Sequence, residues 1–209
     1  MVSILIPTKN RKDLLQRCVD TLFDNSSDIE VLVIMDNGDI PPKDKRIRLF
    51  SIARINNLSY YFNYLAKKSK GSHLFVFNDD AYVKTPDFDK IIEDTLTDPV
   101  DFGYPTLGTP NGFSWPIMTR RAYELLRFVF HPKWTSYGAD QHTMAIFKQA
   151  EICKGIPIEV IHDSHHYKLR ALDETAINTE KMSNWDYLLR TEQTFEDVDY
   201  YAKRLKGQI

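Results

Sequence analysis

The chain has 209 residues, 43% hydrophobic and 27% charged, with a formal net charge of −2 at pH 7. This length buries a core without disulfides, and the charge excludes a strong overall attraction to nucleic acid or membrane surfaces. The two cysteines, Cys18 and Cys153, form no C-x-x-C pair, which indicates a reducing compartment and argues against a zinc or redox site. No apolar run reaches the ~20 residues that a membrane helix needs. We therefore expect a cytoplasmic protein without a membrane span.

Strand and helix patterns alternate through the first hundred residues. The predicted elements are the strands 2–6, 29–35, 47–52 and 74–77 and the helices 11–23, 58–68 and 86–96. The second strand is apolar almost throughout, as expected when both of its faces are covered. This alternation predicts a mostly parallel sheet flanked by helices.

The rest of the chain is less regular. Its predicted elements are the strands 113–118 and 156–161 and the helices 120–128 and 140–150. From Asp173 onward the chain is polar with scattered aromatic residues. We expect this part to be a helical tail, with Tyr187, Leu188 and Leu189 available for docking.

The most informative segment is 75–80, with the sequence FVFNDD, where an apolar strand stops at two adjacent carboxylates. Adjacent acids repel each other unless a positive charge lies beside them. A divalent metal is the usual partner because hard cations prefer carboxylate oxygens. The crevice beyond the strand ends is also where open α/β sheets bind ligands. The alternative is that Asn78 and Asp79 only begin a turn.

Three sequence blocks precede or include this acid pair. They are VSILIPTKNR at 2–11, IMDNG at 34–38, and Asn63 followed by KG at 70–71 and NDD at 78–80. In order and spacing they resemble the nucleotide-sugar glycosyltransferases of the GT-A fold, in particular family 2. The resemblance implies a single α/β GT-A (Rossmann-like) domain of three layers with a mostly parallel central sheet. A nucleotide-sugar-binding half would cover 1–100, an acceptor and catalytic half 101–170, and a helical C-terminal tail 171–209.

The resemblance also implies an activity and its cofactor. The expected reaction is the metal-dependent, inverting transfer of a sugar from a UDP-sugar, or another nucleoside diphosphate sugar, to an acceptor hydroxyl. Mn²⁺ or Mg²⁺ would stabilise the leaving diphosphate as a Lewis acid. Asp80 is the predicted ligand and Asp79 would bind the ribose or a metal-bound water. His162 is the second predicted ligand, because imidazole suits Mn²⁺ better than Mg²⁺. Alternatively, His162, His165 and His166 are polar residues of a loop that follows a strand.

Residues after the first two strands are predicted to bind the nucleoside. Thr8 can donate its hydroxyl or its backbone N–H, and Asp36 can accept the N3–H of uracil. Asn37 follows Asp36 and replaces the second acid of the family pattern, and Arg54 is a further candidate. The alternative is that 36–39 is only a turn and that Arg54 is a surface residue.

Asp140 is the predicted general base, because the acceptor hydroxyl must lose a proton and a carboxylate can take it. The alternative is an ordinary helix N-cap. Aromatic residues that can stack on sugars or bases crowd the same part of the sequence. They are Tyr104, Phe113, Trp115, Trp134 and Tyr137. Most of them are expected in the core, with Trp134 and Tyr137 the first candidates for the site.

The chain departs from the family pattern at three positions. Asn78 replaces the first acid of the metal motif, which leaves metal binding intact because the last acid normally contacts the ion. Asn37 replaces an acid and Phe62 stands where an arginine is common, which leaves the donor base and sugar open. A sugar nucleotidyltransferase is disfavoured because no glycine-rich signature follows the first strand. A non-catalytic nucleotide- or glycan-binding module is a further alternative. The acceptor can be a glycan, a protein, a small molecule or a modified DNA base.

Overall fold

The computed structural model of the protein describes residues 1–108, 114–163, 177 and 192–209, with the backbone alone for 192–196. The strands are β1 (Val2–Pro7), β2 (Ile29–Asp36), β3 (Ile47–Ile52), β4 (His73–Val76), β5 (Ala81–Val83), β6 (Phe102–Gly108), β7 (Ile117–Thr119) and β8 (Cys153–His162). The helices are α1 (Lys12–Asp24), α2 (Leu58–Lys68), α3 (Phe88–Thr95), α4 (Arg120–Leu126), α5 (Ala139–Gln149) and α6 (Glu192–Leu205). These elements confirm the predicted α/β class.

The described strands form one sheet in the order β3-β2-β1-β4-β7-β6-β8-β5. Strands β3, β2, β1 and β4 are parallel neighbours. Strand β7 runs antiparallel between β4 and β6, whereas β8 is parallel to β6 and antiparallel to β5. The sheet is therefore mostly parallel. Its order places the carboxyl ends of β2, β1 and β4 side by side.

Helices cover both faces of the sheet, as the three-layer prediction requires. On one face, apolar residues of α1 and α3 pack against the sheet in one buried cluster. On the other face, a second cluster includes residues of α2, α4, α5 and α6. Helix α6 packs against α4 and α5, so a docked C-terminal helix is present.

Two residues of the family-like blocks have structural roles. The side chain of Asn63 accepts a hydrogen bond from the backbone N–H of Val129 at 2.8 Å and donates to the carbonyl of Phe130 at 2.7 Å. It therefore fixes the segment after α4 on helix α2. Gly71 lies so close to β1 that a Cβ atom there would approach Ser3 Oγ to 2.5 Å. Glycine thus allows the chain to enter β4 next to the start of β1.

Helix α3 begins later than the sequence predicts. The predicted helix starts at residue 86, but the observed helix begins at Phe88, after Asp87 with a left-handed φ of 53°. The hydroxyl of Thr85 accepts a hydrogen bond from the backbone N–H of Glu159 at 2.7 Å. This contact fixes the chain after β5 to strand β8.

Several residues named in the sequence analysis lie outside the described part of the chain. They are Phe113, His165, His166, Asp173, Tyr187, Leu188 and Leu189.

Candidate active site

The candidate site lies where β1, β2 and β4 end. Because these strands are parallel neighbours, the segments that follow them meet at one edge of the sheet. Thr8 follows β1, Asp36 is the last residue of β2, and the acid pair Asp79 and Asp80 follows β4. The strand order thus brings together residues that are up to 72 positions apart in the sequence, as for Thr8 and Asp80.

The acid pair is buried, with Asp79 and Asp80 each 4% exposed. The Thr8 hydroxyl donates to Asp79 Oδ2 at 2.7 Å. A single guanidinium nitrogen of Arg11, Nη1, lies 3.0 Å from Asp79 Oδ1 and 3.1 Å from Asp80 Oδ2. His162 Nε2 lies 3.1 Å from the remaining oxygen, Asp80 Oδ1. Each of the four carboxylate oxygens therefore has a protein partner.

The pKa of Asp79 is raised to about 6. Removal from water is the largest cause, the positive charge of Arg11 acts in the opposite direction, and the negative charge of Asp80 adds to the rise. Two buried carboxylates are costly without a cation beside them. Arg11 supplies that positive charge, and the sequence analysis assigned it no role.

The structure brings His162 to the acid pair although 82 positions separate it from Asp80. His162 is the last residue of β8 and pairs with Ala81 of β5, directly after the acids. The ring of Trp115 packs edge-on against the imidazole with 5.4 Å between ring centroids. These contacts place an imidazole nitrogen and a carboxylate oxygen next to each other, as a shared ligand set requires.

Among the described residues, no group of three or more histidine, cysteine, aspartate or glutamate side chains is arranged to hold a metal ion. A divalent ion in a phosphate-binding site takes one or two protein ligands together with phosphate oxygens. The carboxylate of Asp80 and the imidazole of His162 fit that smaller donor set.

Asp36, which ends β2, is 7% exposed and already has several partners. Lys9 Nζ donates to its Oδ2 at 3.0 Å, and Arg54 Nε lies 3.9 Å from the same oxygen. The hydroxyl of Tyr61 donates to Oδ1. Burial, followed by this hydrogen bond to Asp36, raises the pKa of Tyr61 to about 12. The structure thus places the predicted residues Asp36 and Arg54 together and adds Lys9 and Tyr61, which the sequence analysis missed.

Asn37 is exposed at the end of β2. Its side-chain oxygen accepts a hydrogen bond from the hydroxyl of Ser51 at 2.7 Å, and its backbone N–H donates to the carbonyl of Ile52 at 2.7 Å. Both contacts fix the turn after β2 to strand β3. Asn37 therefore has a structural role in addition to its predicted role in nucleoside binding.

A cleft opens between the ends of β1 and β2. Its lining residues are Thr8, Asn10, Arg11, Lys12, Leu15, Met35, Asp39, Ile40 and Pro42. One carboxylate oxygen of Asp39, Oδ2, is buried there without a hydrogen-bond partner among the described residues. A buried acceptor without a partner is costly, so this oxygen is suited to a ligand donor. The sequence analysis assigned Asp39 no role beyond membership of a possible turn at 36–39.

Asp140 lies in the first turn of α5. The residue before the helix is Gly138, with a φ of 90° and no side-chain cap, so Asp140 is not the N-cap that the alternative interpretation required. Its Oδ1 accepts the backbone N–H of Gln141 at 2.9 Å. Burial raises the pKa of Asp140, while hydrogen bonds, including one from the side chain of Ser114, act in the opposite direction.

A chain of contacts links Asp140 to the acid pair. Ser114, its hydrogen-bond partner, immediately precedes Trp115, whose ring packs against His162. His162 in turn contacts Asp80. The candidate base therefore lies on the side of the acid pair that is lined by 114–115 and β8.

The tryptophans of this region belong to the core. Trp115 is 1% exposed and Trp134 is 3% exposed. For Trp134 this favours packing over sugar stacking. Tyr104 and Tyr137 are partly buried, so they are more accessible than the two tryptophans.

The fold is that of the GT-A glycosyltransferases. The chain matches the mannosyltransferase PcManGT from Pyrobaculum calidifontis in complex with GDP-Man and Mn²⁺, with a TM-score of 0.60 and 14% identity over 77% of this chain and 56% of that one. It matches S. aureus TarS 1–349 in complex with UDP-GlcNAc with a TM-score of 0.60 and 12% identity over 97% of this chain and 72% of that one. At these identities the likeness concerns the fold alone.

The chain belongs to glycosyltransferase family 2, because residues 3–165 match the family described as Glycosyl transferase family 2. A curated relative is the uncharacterized glycosyltransferase EpsJ of Bacillus subtilis (strain 168), 27% identical over 111 residues, which is 48% of this chain. The match spans 32% of that relative's length. Among the described residues, no helix is long and apolar enough to cross a membrane.

Proposed function

We propose that the protein is a glycosyltransferase that moves a sugar from a nucleotide sugar to an acceptor hydroxyl. The observation that carries the proposal is the meeting of Asp79, Asp80 and His162 beyond the ends of β1 and β4. Membership of family 2 supports the reaction class. Fold relatives in complex with GDP-Man and Mn²⁺ or with UDP-GlcNAc support a nucleotide-sugar donor.

We propose that Asp80 and His162 hold a divalent cation, Mn²⁺ or Mg²⁺. Their donor atoms are 3.1 Å apart and mostly shielded from water, and a mixed oxygen and nitrogen set favours Mn²⁺. When bound, such an ion supplies Lewis-acid stabilisation of the departing diphosphate. Asp79, which lies beside Asp80 and accepts a hydrogen bond from Thr8, would bind the ribose or a metal-bound water.

For the nucleoside we propose the cleft between β1 and β2, and UDP as the carrier. Thr8 lines this cleft, and the carboxylate of Asp36 would accept the uracil N3–H. Asn37 and Arg54 extend the same edge. The bonds from Lys9 and Tyr61 to Asp36 fix the orientation of its carboxylate before a ligand arrives.

We propose Asp140 as the general base that takes the proton of the acceptor hydroxyl. Its raised pKa strengthens it as a base. Direct attack assisted by one base gives inversion at the anomeric carbon. We propose a glycan, a protein or a small molecule as the acceptor. A modified DNA base would require base flipping and a basic surface, which a net charge of −2 does not favour.

Release of UDP from a panel of UDP-sugars tests the proposal. We expect release with Mn²⁺, its loss when EDTA removes the metal, and a fall of about 100-fold or more in Asp80→Asn, because a stabiliser of the leaving group is lost. Asp163→Asn is the matched control. Asp163 is also near the site, but its carboxylate pairs with Arg17 at 2.6 Å, so we expect its rate to stay within about twofold of the wild type.

Equal rates with Mn²⁺ and with EDTA would contradict a metal-dependent reaction. UDP binding without any turnover, including slow hydrolysis of the donor, would instead identify a non-catalytic binding module.

A further inference from the structure

Arg11 differs from the other partners of the acid pair in its chemistry. Thr8 and His162 carry oxygen or nitrogen lone pairs that can bind a cation, whereas a guanidinium has donors only. Nevertheless Nη1 of Arg11 lies within 3.1 Å of both carboxylates. The side chain is only 11% exposed, so this contact is shielded from water and salt.

A divalent cation that uses Asp80 must compete with these contacts. His162 can remain, because it is itself a candidate ligand. Arg11 cannot share the position, because two positive charges between the same carboxylates repel each other. The contact between Arg11 and Asp80 therefore has to break before the carboxylate of Asp80 can bind a cation fully.

Arg11 also borders a second possible binding position. It lines the cleft between β1 and β2 together with Thr8 and Asp39, which is the proposed nucleotide cleft. A guanidinium binds phosphate oxygens with two parallel hydrogen bonds and is well suited to a diphosphate. One side chain thus borders both the acid pair and the cleft.

We propose that Arg11 is a positioning residue that holds the acid pair in place of the cation and moves to the diphosphate when the donor binds. The proposal rests on the proposed function and adds to it a coupling between nucleotide and metal. Without nucleotide, Arg11 keeps the affinity for the cation low. The diphosphate removes Arg11 from the acids, so that nucleotide raises metal affinity and, by linkage, metal raises nucleotide affinity.

Substitution of Arg11 by methionine, which has similar length and no charge, tests this coupling. The probe is Mn²⁺ alone, titrated into the protein while free Mn²⁺ is followed by its EPR signal, with and without UDP. We expect Arg11→Met to bind Mn²⁺ without nucleotide about tenfold more tightly than the wild type, within the usual range of coupling factors. The gain in Mn²⁺ affinity caused by UDP should shrink at least about fivefold.

Arg46→Met is the matched control. Arg46 also lies between two aspartates, Asp20 and Asp44, but it precedes β3 at the opposite end of the strand from the site. It tests whether any exposed acid pair gains Mn²⁺ when its arginine is removed, and we expect no gain. Arg11→Lys restores the positive charge and should return the Mn²⁺ affinity without nucleotide toward that of the wild type.

A merely structural role for Arg11 predicts the opposite result, because loss of the arginine would leave Mn²⁺ binding weaker or unchanged. Either outcome in a folded Arg11→Met protein overturns the inference. The proposed function fails separately, if the wild type binds no Mn²⁺ even in the presence of UDP.

If Arg11→Met does not fold, an NMR measurement on the wild-type protein tests the proposal. The side-chain Nε–Hε NMR signal of Arg11, identified by its loss in Arg11→Lys, should shift when UDP is added without a divalent cation. Uridine, which lacks the diphosphate, should leave the signal in place. A signal that UDP does not move overturns the proposal.

Discussion

At the scale of a single residue, Asp140 combines a position at a helix N-terminus with a raised pKa. Its carboxylate lies in the first turn of α5, where helix N–H groups favour negative charge, and burial raises its pKa. A carboxylate of raised pKa accepts a proton more readily than an ordinary aspartate. Its hydrogen bond with Ser114 fixes the direction of the carboxylate.

Asp140→Asn should therefore separate binding from chemistry. We expect UDP affinity within about twofold of the wild type and turnover reduced about 100-fold or more, the scale of a lost general base. The wild-type rate should fall as the pH drops through the raised pKa of Asp140, because only the carboxylate accepts a proton. The variant should lose this acid limb, and steady-state kinetics across pH measure both effects. Unchanged turnover in Asp140→Asn would place the base elsewhere.

The sequence predicted a positive charge beside the acid pair but not its source. Adjacent acids after an apolar strand require a cation, and a metal was the only one we named. Arg11 lies 69 positions before Asp80, and only the parallel pairing of β1 with β4 brings the two together. A contact of this kind depends on tertiary structure and cannot be predicted from local residue patterns.

At the scale of elements, helix α5 carries a histidine in an unusual environment. His142 of α5 is 3% exposed, and neither ring nitrogen has a hydrogen-bond partner among the described residues. Its ring lies 5.7 Å from that of Trp134 and 5.5 Å from that of His131. Burial, and then the positive charges of Lys133 and His131, lower the pKa of His142 to about 3, while Asp197 of α6 acts in the opposite direction.

This histidine should make the protein sensitive to acid. Between an unfolded pKa of about 6.5 and a folded pKa of about 3, the unfolded state binds more protons, so stability falls as the pH drops. At pH 5 the loss relative to neutral pH should be roughly 2 kcal/mol. His142→Leu should remove this part of the dependence, which urea unfolding at pH 7.5 and pH 5.0 measures for both proteins.

Other titrating groups, including Asp79, act equally in the two proteins, so the difference between them isolates His142. An identical loss of stability on acidification in the wild type and in His142→Leu would contradict a buried neutral histidine.

Strands β5 and β6 show why some elements escaped prediction. Strand β6 contains Pro105, which lacks a backbone donor, and its pairing with β8 shifts register between Pro105 and Leu107. Proline and glycine in this segment are typical of turns, so the sequence pattern argued against a strand. Strand β5 has only three residues, too few for an alternating pattern to be recognised. Both strands form because β8 pairs with them.

For the whole molecule, strand order decides where the chemistry lies. From β1 the sheet continues to β2 on one side and to β4 on the other, so the segments after these three strands diverge around a crevice. Ligands bind at such switch points in open α/β sheets. The alternation of strands and helices predicted this edge of the sheet from the sequence alone. Strand β8 carries His162 to the acid pair. The pattern of strands and helices did not predict this contribution, because β8 belongs to the partly antiparallel half of the sheet, where that pattern is irregular.

The most direct test of the site is calorimetric titration of UDP into the protein with Mn²⁺ and with EDTA. We predict that UDP binds at least about tenfold more tightly with Mn²⁺, because a cation held by the acid pair also binds the oxygens of the diphosphate. In Asp80→Asn this difference should disappear. Equal affinity of the wild type for UDP in the two buffers would contradict a cation site at Asp80 and His162.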